Sequence, residues 1–259
     1  MTAPENDRSH DWNAINAFRR KARRQEDSHA GLAQESKKQR DEFGFDIAAY
    51  LRTATGSYVR TLPDRIAQKR QLGRIVKAVE LCGQASGASI GIHHTYAMLL
   101  EKEKNHKTGD DVSITEGDIF KPHDTKIFLE RIDSESSAET KSLDYVFFRP
   151  WGGLNLYQDS DYSMIRLYEL LRELYARLKP DGEMILQMDL ENPVDPGTLA
   201  LTAAKSNPDI LKWCFTEWPY LIIKREGGPE RLPPLGVLLS HLKEPQREFI
   251  RENTRLTGA

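Results

Sequence analysis

The chain has 259 residues, 39% hydrophobic and 29% charged, with a net charge of −2. That is enough apolar material for a sizeable core, and too little net charge for the whole molecule to bind a polyanion by bulk electrostatics. The only cysteines, Cys82 and Cys214, lie far apart and argue against a disulfide framework or a zinc site.

No apolar run approaches the ~20 residues of a membrane span, and the N-terminal stretch MTAPENDRSHDWN lacks the apolar core of a signal peptide. The expectation is a soluble protein of the cytoplasm or nucleus, with no membrane partner and no metal. Charge is uneven: roughly +6 over the first ~77 residues and roughly −8 over the remainder.

Taken in order, Met1–Asp11 is small and polar and is expected to be disordered. Trp12 to about Glu42 is rich in helix formers and carries the basic cluster Arg19, Arg20, Lys21, Arg23, Arg24. The cluster suits phosphates of RNA or DNA. It equally suits a solvated helix face offset by Glu26, Asp27, Asp41 and Glu42. Phe43–Arg52 has a helical apolar face, and Ser57–Leu62 alternates like a strand. Leu72–Cys82 places Leu72, Ile75, Val76, Val79 and Leu81 at spacings that predict a buried helix. Ala88–Ile92 reads as a strand, Tyr96–Lys104 as a helix, Val112–Phe120 as a strand entering a Gly-Asp turn, and Phe128–Ile132 as helix.

Leu143–Phe148 (LDYVFF) is a buried strand. Met164–Leu178 repeats apolar residues three or four apart and predicts an amphipathic helix. Lys179-Pro180-Asp181-Gly182 is a turn, and Glu183–Asp189 a second strand, so the three form a βαβ unit. Leu211–Trp218 and Tyr220–Arg225 close the pattern as two strands about Pro219. The division expected is a basic helical extension (1–56), an α/β domain (57–226), and a C-terminal loop and helix (227–259).

Asp144, Val146, Pro150 and Trp151 spell D-x-V-x-x-x-P-W, and Leu178 to Ile185 spells L-K-P-x-G-x-x-I. Separated by a helix, these resemble the fourth and fifth strands of the class I S-adenosylmethionine-dependent methyltransferases. The resemblance implies a doubly wound, mostly parallel sheet with an antiparallel C-terminal strand pair. It also implies three cofactor contacts: a Gly-rich turn after the first strand against the methionine part, an acid ending the second strand on the ribose, and an Asp after the third strand beside the adenine.

Asp118 and Ile119, in Gly117-Asp118-Ile119, occupy the third position, although the same residues make an ordinary turn. If ASIGI is the second strand, His93 stands at the ribose acid's place, and a neutral imidazole cannot accept from two hydroxyls. Counting back through Leu72–Cys82 as the first helix leaves Ala67–Gly73 as the Gly-rich turn, with Gly73 its one glycine. The rival frame, Glu80–Gly87 (ELCGQASG), is set aside because only ~25 residues would then carry helix, strand and helix to the third strand. Arg149, Pro150 and Trp151 resemble the substrate motif of cap-trimethylating and exocyclic-amine methyltransferases. Trp151 would stack on a base and Arg149 meet a phosphate, or Trp151 is a buried residue closing the sheet. Phe148 stands where those enzymes orient the amine.

Two functions follow. One is a methyltransferase-fold protein with a degenerate S-adenosylmethionine site, acting as a binding or scaffolding subunit for RNA, a protein or a catalytic partner. The other is an active, divergent S-adenosylmethionine-dependent methyltransferase.

Overall fold

The computed structural model describes residues 47–83, 85–99, 111–135, 141–148, 161–187, 213–217, 220–234 and 237. The basic cluster Arg19–Arg24 and the Arg149-Pro150-Trp151 motif lie outside them. Among the described residues three helices come first: α1 (Ile47–Leu51), α2 (Ser57–Arg60) and α3 (Leu62–Gln71). Strands β1 (Lys77–Leu81), β2 (His94–Leu99) and β3 (Val112–Glu116) follow, with a 3-10 turn at Gly87–Ile90. Then come α4 (Pro122–Glu135), β4 (Leu143–Phe148), α5 (Asp161–Ala176), β5 (Leu178–Gln187), β6 (Cys214–Glu217) and β7 (Tyr220–Lys224).

The seven strands form one sheet in the order β3-β2-β1-β4-β5-β7-β6. Strands β1 to β5 are mutually parallel, and β7 runs antiparallel to both β5 and β6. Side chains alternate across the sheet. Val79, Leu81, Tyr96, Val146, Phe148, Met184 and Leu186 pack with α4 and α5, while Ala78, Tyr145, Phe147 and Ile185 pack with the N-terminal helices. Ile47, Leu51 and Ala54 are buried in that second core beside Tyr220 and Ile222. The α/β unit therefore begins at least as early as Ile47, not at Ser57.

Several elements differ from expectation. Ser57–Leu62 is not a strand. The carboxylate of Glu217, from β6, accepts the Tyr58 and Val59 amides (2.9 and 2.8 Å) and so satisfies the exposed donors at the start of α2. Pro63 then starts α3, where its missing N–H costs nothing. Leu72–Cys82 is not a helix: α3 ends at Gln71, and β1 begins at Lys77. The stop is a Schellman motif, with Gly73 at φ +74, its amide donating to Arg70 O (2.9 Å) and the Arg74 amide to Lys69 O (3.2 Å). Ala88–Ile92 falls largely in the 3-10 turn, and the predicted helix at Tyr96 begins inside β2. A strand buried on both faces is almost continuously apolar, so its sequence mimics one turn after another of a buried helix.

The predicted β4 matches residue for residue, α5 is as expected to within a turn, and β6 and β7 fall inside the predicted pair. The Lys179–Gly182 turn is an irregularity within β5: Leu143 pairs with Leu178, but Tyr145 pairs with Glu183. Its residues serve a buried charge. Asp144, fully buried in β4, accepts from Lys69 Nζ (3.2 Å), Lys179 Nζ (2.9 Å) and the Lys77 amide (3.0 Å). Lys69 also reaches Asp181 (3.1 Å), as does Arg74 (2.5 Å). Next to this cluster, Glu183 accepts from Arg65 (2.9 Å) and from the Tyr58 hydroxyl.

Asp144→Ala strips two ammonium groups and an amide of their shared partner, and is expected to cost about 3–5 kcal/mol in denaturant unfolding, as breaking a buried pair does. The buried tyrosines and the buried Cys214 thiol set the alkaline limit. Burial raises the phenols of Tyr58, Tyr145 and Tyr168 well above their ordinary value of 10.0, and that of Tyr175 to about 12. The folded state thus favours the protonated phenol, so this stability is complete below pH ~10 and is lost as pH rises through the raised values. Burial also pushes the Cys214 thiol from 9.0 up to about 12, so the thermal midpoint should begin to fall near pH ~9 and fall steeply beyond about pH 10.5 as the phenols join.

Candidate cofactor-binding edge

In an open α/β sheet, ligands sit beyond the carboxyl ends of the parallel strands, where the strand order switches direction. Here the switch lies between β1 and β4, so the loops after β1 to β4 define the edge. The loop leaving β1 is Cys82-Gly83-Gln84-Ala85-Ser86, the frame set aside from sequence. Its backbone turns through the left-handed region at Cys82 (φ 59) and Ala85 (φ 54). Non-glycine residues adopt that conformation at a cost, and it persists where surroundings impose it.

Glu80 imposes it. Its side chain is fully buried in β1, and the carboxylate folds over the loop to accept the Ser86 amide at 2.8 Å. A Cβ on Gly83 would stand 2.0 Å from Glu80 Oε1. Gly83 is thus the residue that lets the loop close over the carboxylate.

Two expected cofactor residues are displaced. Gly73 is the helix stop ahead of β1, and His93 precedes β2, where its Nδ1 accepts the Val76 amide (3.0 Å) and its own amide donates to Val76 O (2.9 Å). Both therefore lie at the amino-terminal end of the strands, the wrong edge for a ligand, and are corrected to structural roles. With β2 shifted to His94–Leu99, the first acid after it in the sequence is Glu101, outside the described residues. Asp118 and Ile119 do follow β3 at the ligand edge. Asp118 is half-buried in a tight turn, accepting the Phe120 amide on Oδ1 (2.9 Å) and donating its own amide to Asp124 (3.0 Å), while Ile119 is buried in the core. The side chain of Phe148 is fully buried at the end of β4.

The opposite edge holds a polar group that sequence reading missed. Ser113 Oγ donates to Glu135 (2.7 Å) and lies 3.0 Å from His94 Nε2, while Arg131 also binds Glu135 (2.9 Å). Burial alone would raise the Glu135 carboxyl, but bonds from Ser113 and Arg131 hold it below its ordinary value. Because the serine proton is committed to the carboxylate, the histidine is not its base. The order is the reverse of a nucleophilic triad. Among the described residues no three His, Cys, Asp or Glu side chains gather as a metal site, and no helix is long and apolar enough to cross a membrane.

An antiparallel β7 inserted between β5 and β6 distinguishes this sheet from the wholly parallel dinucleotide-binding one. The fold is that of the class I methyltransferases. No protein-family profile matches the chain, and no curated protein matches it. Among solved structures it is similar to the MycE methyltransferase of mycinamycin biosynthesis, determined with Mg and SAH (13% identity, 64% of this chain and 48% of that one, TM-score 0.36). It is likewise similar to a candidate ribosomal RNA methyltransferase from Plasmodium falciparum (12%, 66% and 98%, 0.41) and to a short chain dehydrogenase family protein from Francisella tularensis (10%, 54% and 64%, 0.35). The chain spans about half the length of MycE. The fold assignment stands on the strand order and not on these likenesses.

Gly83→Ala would overlap the Glu80 carboxylate, which must shift and strain its bond to Ser86, and should cost about 1–3 kcal/mol. In a Glu80→Ala background the same change should cost measurably less, because the space is then open. Additive costs in the two-site denaturation cycle would show that the two residues do not brace each other.

Proposed function

We propose that this chain is a divergent S-adenosylmethionine-dependent methyltransferase, binding the cofactor at the ends of β1, β2 and β3. The observation that carries this reading is the loop after β1. It makes the left-handed reversals of a Gly-rich turn with only one glycine in its first five residues, held in shape by a buried carboxylate spent on that task. In this reading the backbone of residues 82–86 faces the methionine part, Glu101 accepts the ribose hydroxyls and Asp118 stands beside the adenine. With β1 and β2 placed as above, the ribose acid and the loop glycine are sought at Glu101 and Gly83, not at His93 and Gly73.

The cofactor supplies an activated methyl group. The protein's part is to hold donor and acceptor in line, which by itself lowers the barrier without an obligatory general base. Arg149, Pro150 and Trp151 would face the acceptor, an RNA, protein or small aromatic molecule. The basic Arg19–Arg24 stretch fits an RNA acceptor, and contact through it would weaken steeply with salt.

A second reading keeps the fold and drops the chemistry: a binding or scaffolding subunit whose cofactor site has decayed. Phe148 favours it, since a fully buried phenyl ring offers an amine no acceptor. So do Cys82 and Ala85, whose side chains stand where a Gly-rich turn has none.

Calorimetric titration with S-adenosylmethionine and S-adenosylhomocysteine separates the two. The expected result is dissociation constants in the micromolar range, weakened at least ~10-fold by Glu101→Ala or Asp118→Asn, the latter chosen because its side-chain carbonyl can keep the Phe120 turn. Absence of heat and of any thermal shift at millimolar ligand would sink the methyltransferase reading and leave the scaffold. Binding without methyl transfer to RNA or protein acceptors would favour the scaffold as well.

A further inference from the structure

Helix α1 touches both halves of the ligand edge. At its first residue the Ile47 amide donates to Ser86 Oγ (2.9 Å), a buried bond. Ser86 is the residue whose own amide is held by Glu80. One turn later the Tyr50 hydroxyl lies 3.4 Å from the Phe148 carbonyl oxygen and 3.2 Å from Gln187 Oε1. These are the last residues of β4 and β5. The chain Glu80–Ser86–Ile47–Tyr50–Phe148/Gln187 thus runs unbroken from the loop after β1 to the far side of the switch point.

The helix is also unable to slide. Ile47 and Leu51 are buried against the sheet. The Tyr50 ring meets Tyr220 edge-on at 4.8 Å, and the Tyr50 carbonyl accepts the Tyr220 hydroxyl at 2.7 Å. Thr53 Oγ1 lies 2.6 Å from the same hydroxyl. A single rigid turn anchored at both ends transmits displacement, whereas two independent loops would not.

We infer that α1 is a clasp joining the loop after β1 to the ends of β4 and β5, with Tyr50 and Ser86 as its positioning residues. Tyr50 sets where the end of β4 stands. It acts through the backbone of Phe148, whose side chain has no polar atom to offer. The link itself stands on the contacts above; its bearing on methyl transfer rests on the function proposed in the preceding section.

Hydrogen–deuterium exchange on the full-length chain without ligand tests the clasp. Tyr50→Phe removes one hydroxyl and keeps the ring. It should speed exchange about 3- to 10-fold at the ends of β4 and β5 and also across residues 82–90, as loss of one hydrogen bond in a local opening does. Ser86→Ala should do the same from the other side, and Ser86→Thr, which retains a hydroxyl, should return both regions toward the parent. Arg74→Ala, at the opposite edge, should move neither region, and peptides in β1 and β7 should keep parental protection in every variant. If each substitution loosens only its own end, or if all peptides loosen together, the clasp is wrong. Adding S-adenosylhomocysteine supplies the functional arm: it should slow exchange at both ends in the parent, but only over residues 82–90 in Tyr50→Phe. No response to that ligand in the parent would remove the proposed function, while the ligand-free comparison would still decide the clasp.

Discussion

A carboxylate with no access to water organises this protein. Asp144 is acidic, fully buried and placed at the start of the central strand β4, so it must collect donors or leave the interior. It collects one ammonium from α3, one from β5 and the first amide of β1. Each partner belongs to a different layer or strand. The position of α3 against the sheet, the register of β1 beside β4 and the break in β5 at Lys179–Gly182 are therefore one problem with one solution. A hydrophobic residue at 144 would pack as well, but would not say where three separate elements belong.

The same device recurs along the N-terminal helices. Glu183 holds Arg65 and Tyr58, and Glu217 holds the opening amides of α2. The helices are thereby fixed on the face of the sheet opposite α4 and α5 by acids from β4, β5 and β6. On the other edge of the sheet Glu80 does comparable work on a loop instead of a helix. Its burial suits it to shape a turn that needs left-handed backbone without many glycines to supply it.

Strands β4 and the β6–β7 pair were legible because each is a short apolar run fenced by residues that cannot continue it, and α5 because its apolar face repeats over four turns. Strands β1 and β2 were not legible. LGRIVKAVELC satisfies helical spacing, and the signal against it, Gly73 closing a Schellman motif, is one residue that also looks like the remnant of a Gly-rich turn. Taking ASIGI as the second strand put His93 at the ribose position, and counting back from it through LGRIVKAVELC as a helix put the Gly-rich turn at Ala67–Gly73. The count of residues also misled. It assumed a helix in each crossover, whereas the connection from β1 to β2 is a loop and one 3-10 turn. Asp118 keeps its expected place after β3 because that position depends only on the strand before it. Glu80 was invisible as a brace, since nothing in sequence marks an acid that will turn back onto its own loop.

The short connection between β1 and β2 has a consequence for how the molecule assembles. The face beside β1 is covered by helices drawn from earlier in the chain, with Ile47, Leu62 and Ile66 packing with Ala78, Ile90 and Ile92. Those helices are in turn anchored by Glu217 and Tyr220, near the last strands made. Residues 47–71 would therefore leave the ribosome with neither their sheet nor their caps available, and wait through the synthesis of about 150 residues for both, some tens of seconds or less at typical rates. Their closure is among the most sequence-distant events in the fold, and such contacts are slow to form because a long loop must be ordered first. The ligand edge, which borrows its clasp from that segment, is completed only when the two ends of the domain meet.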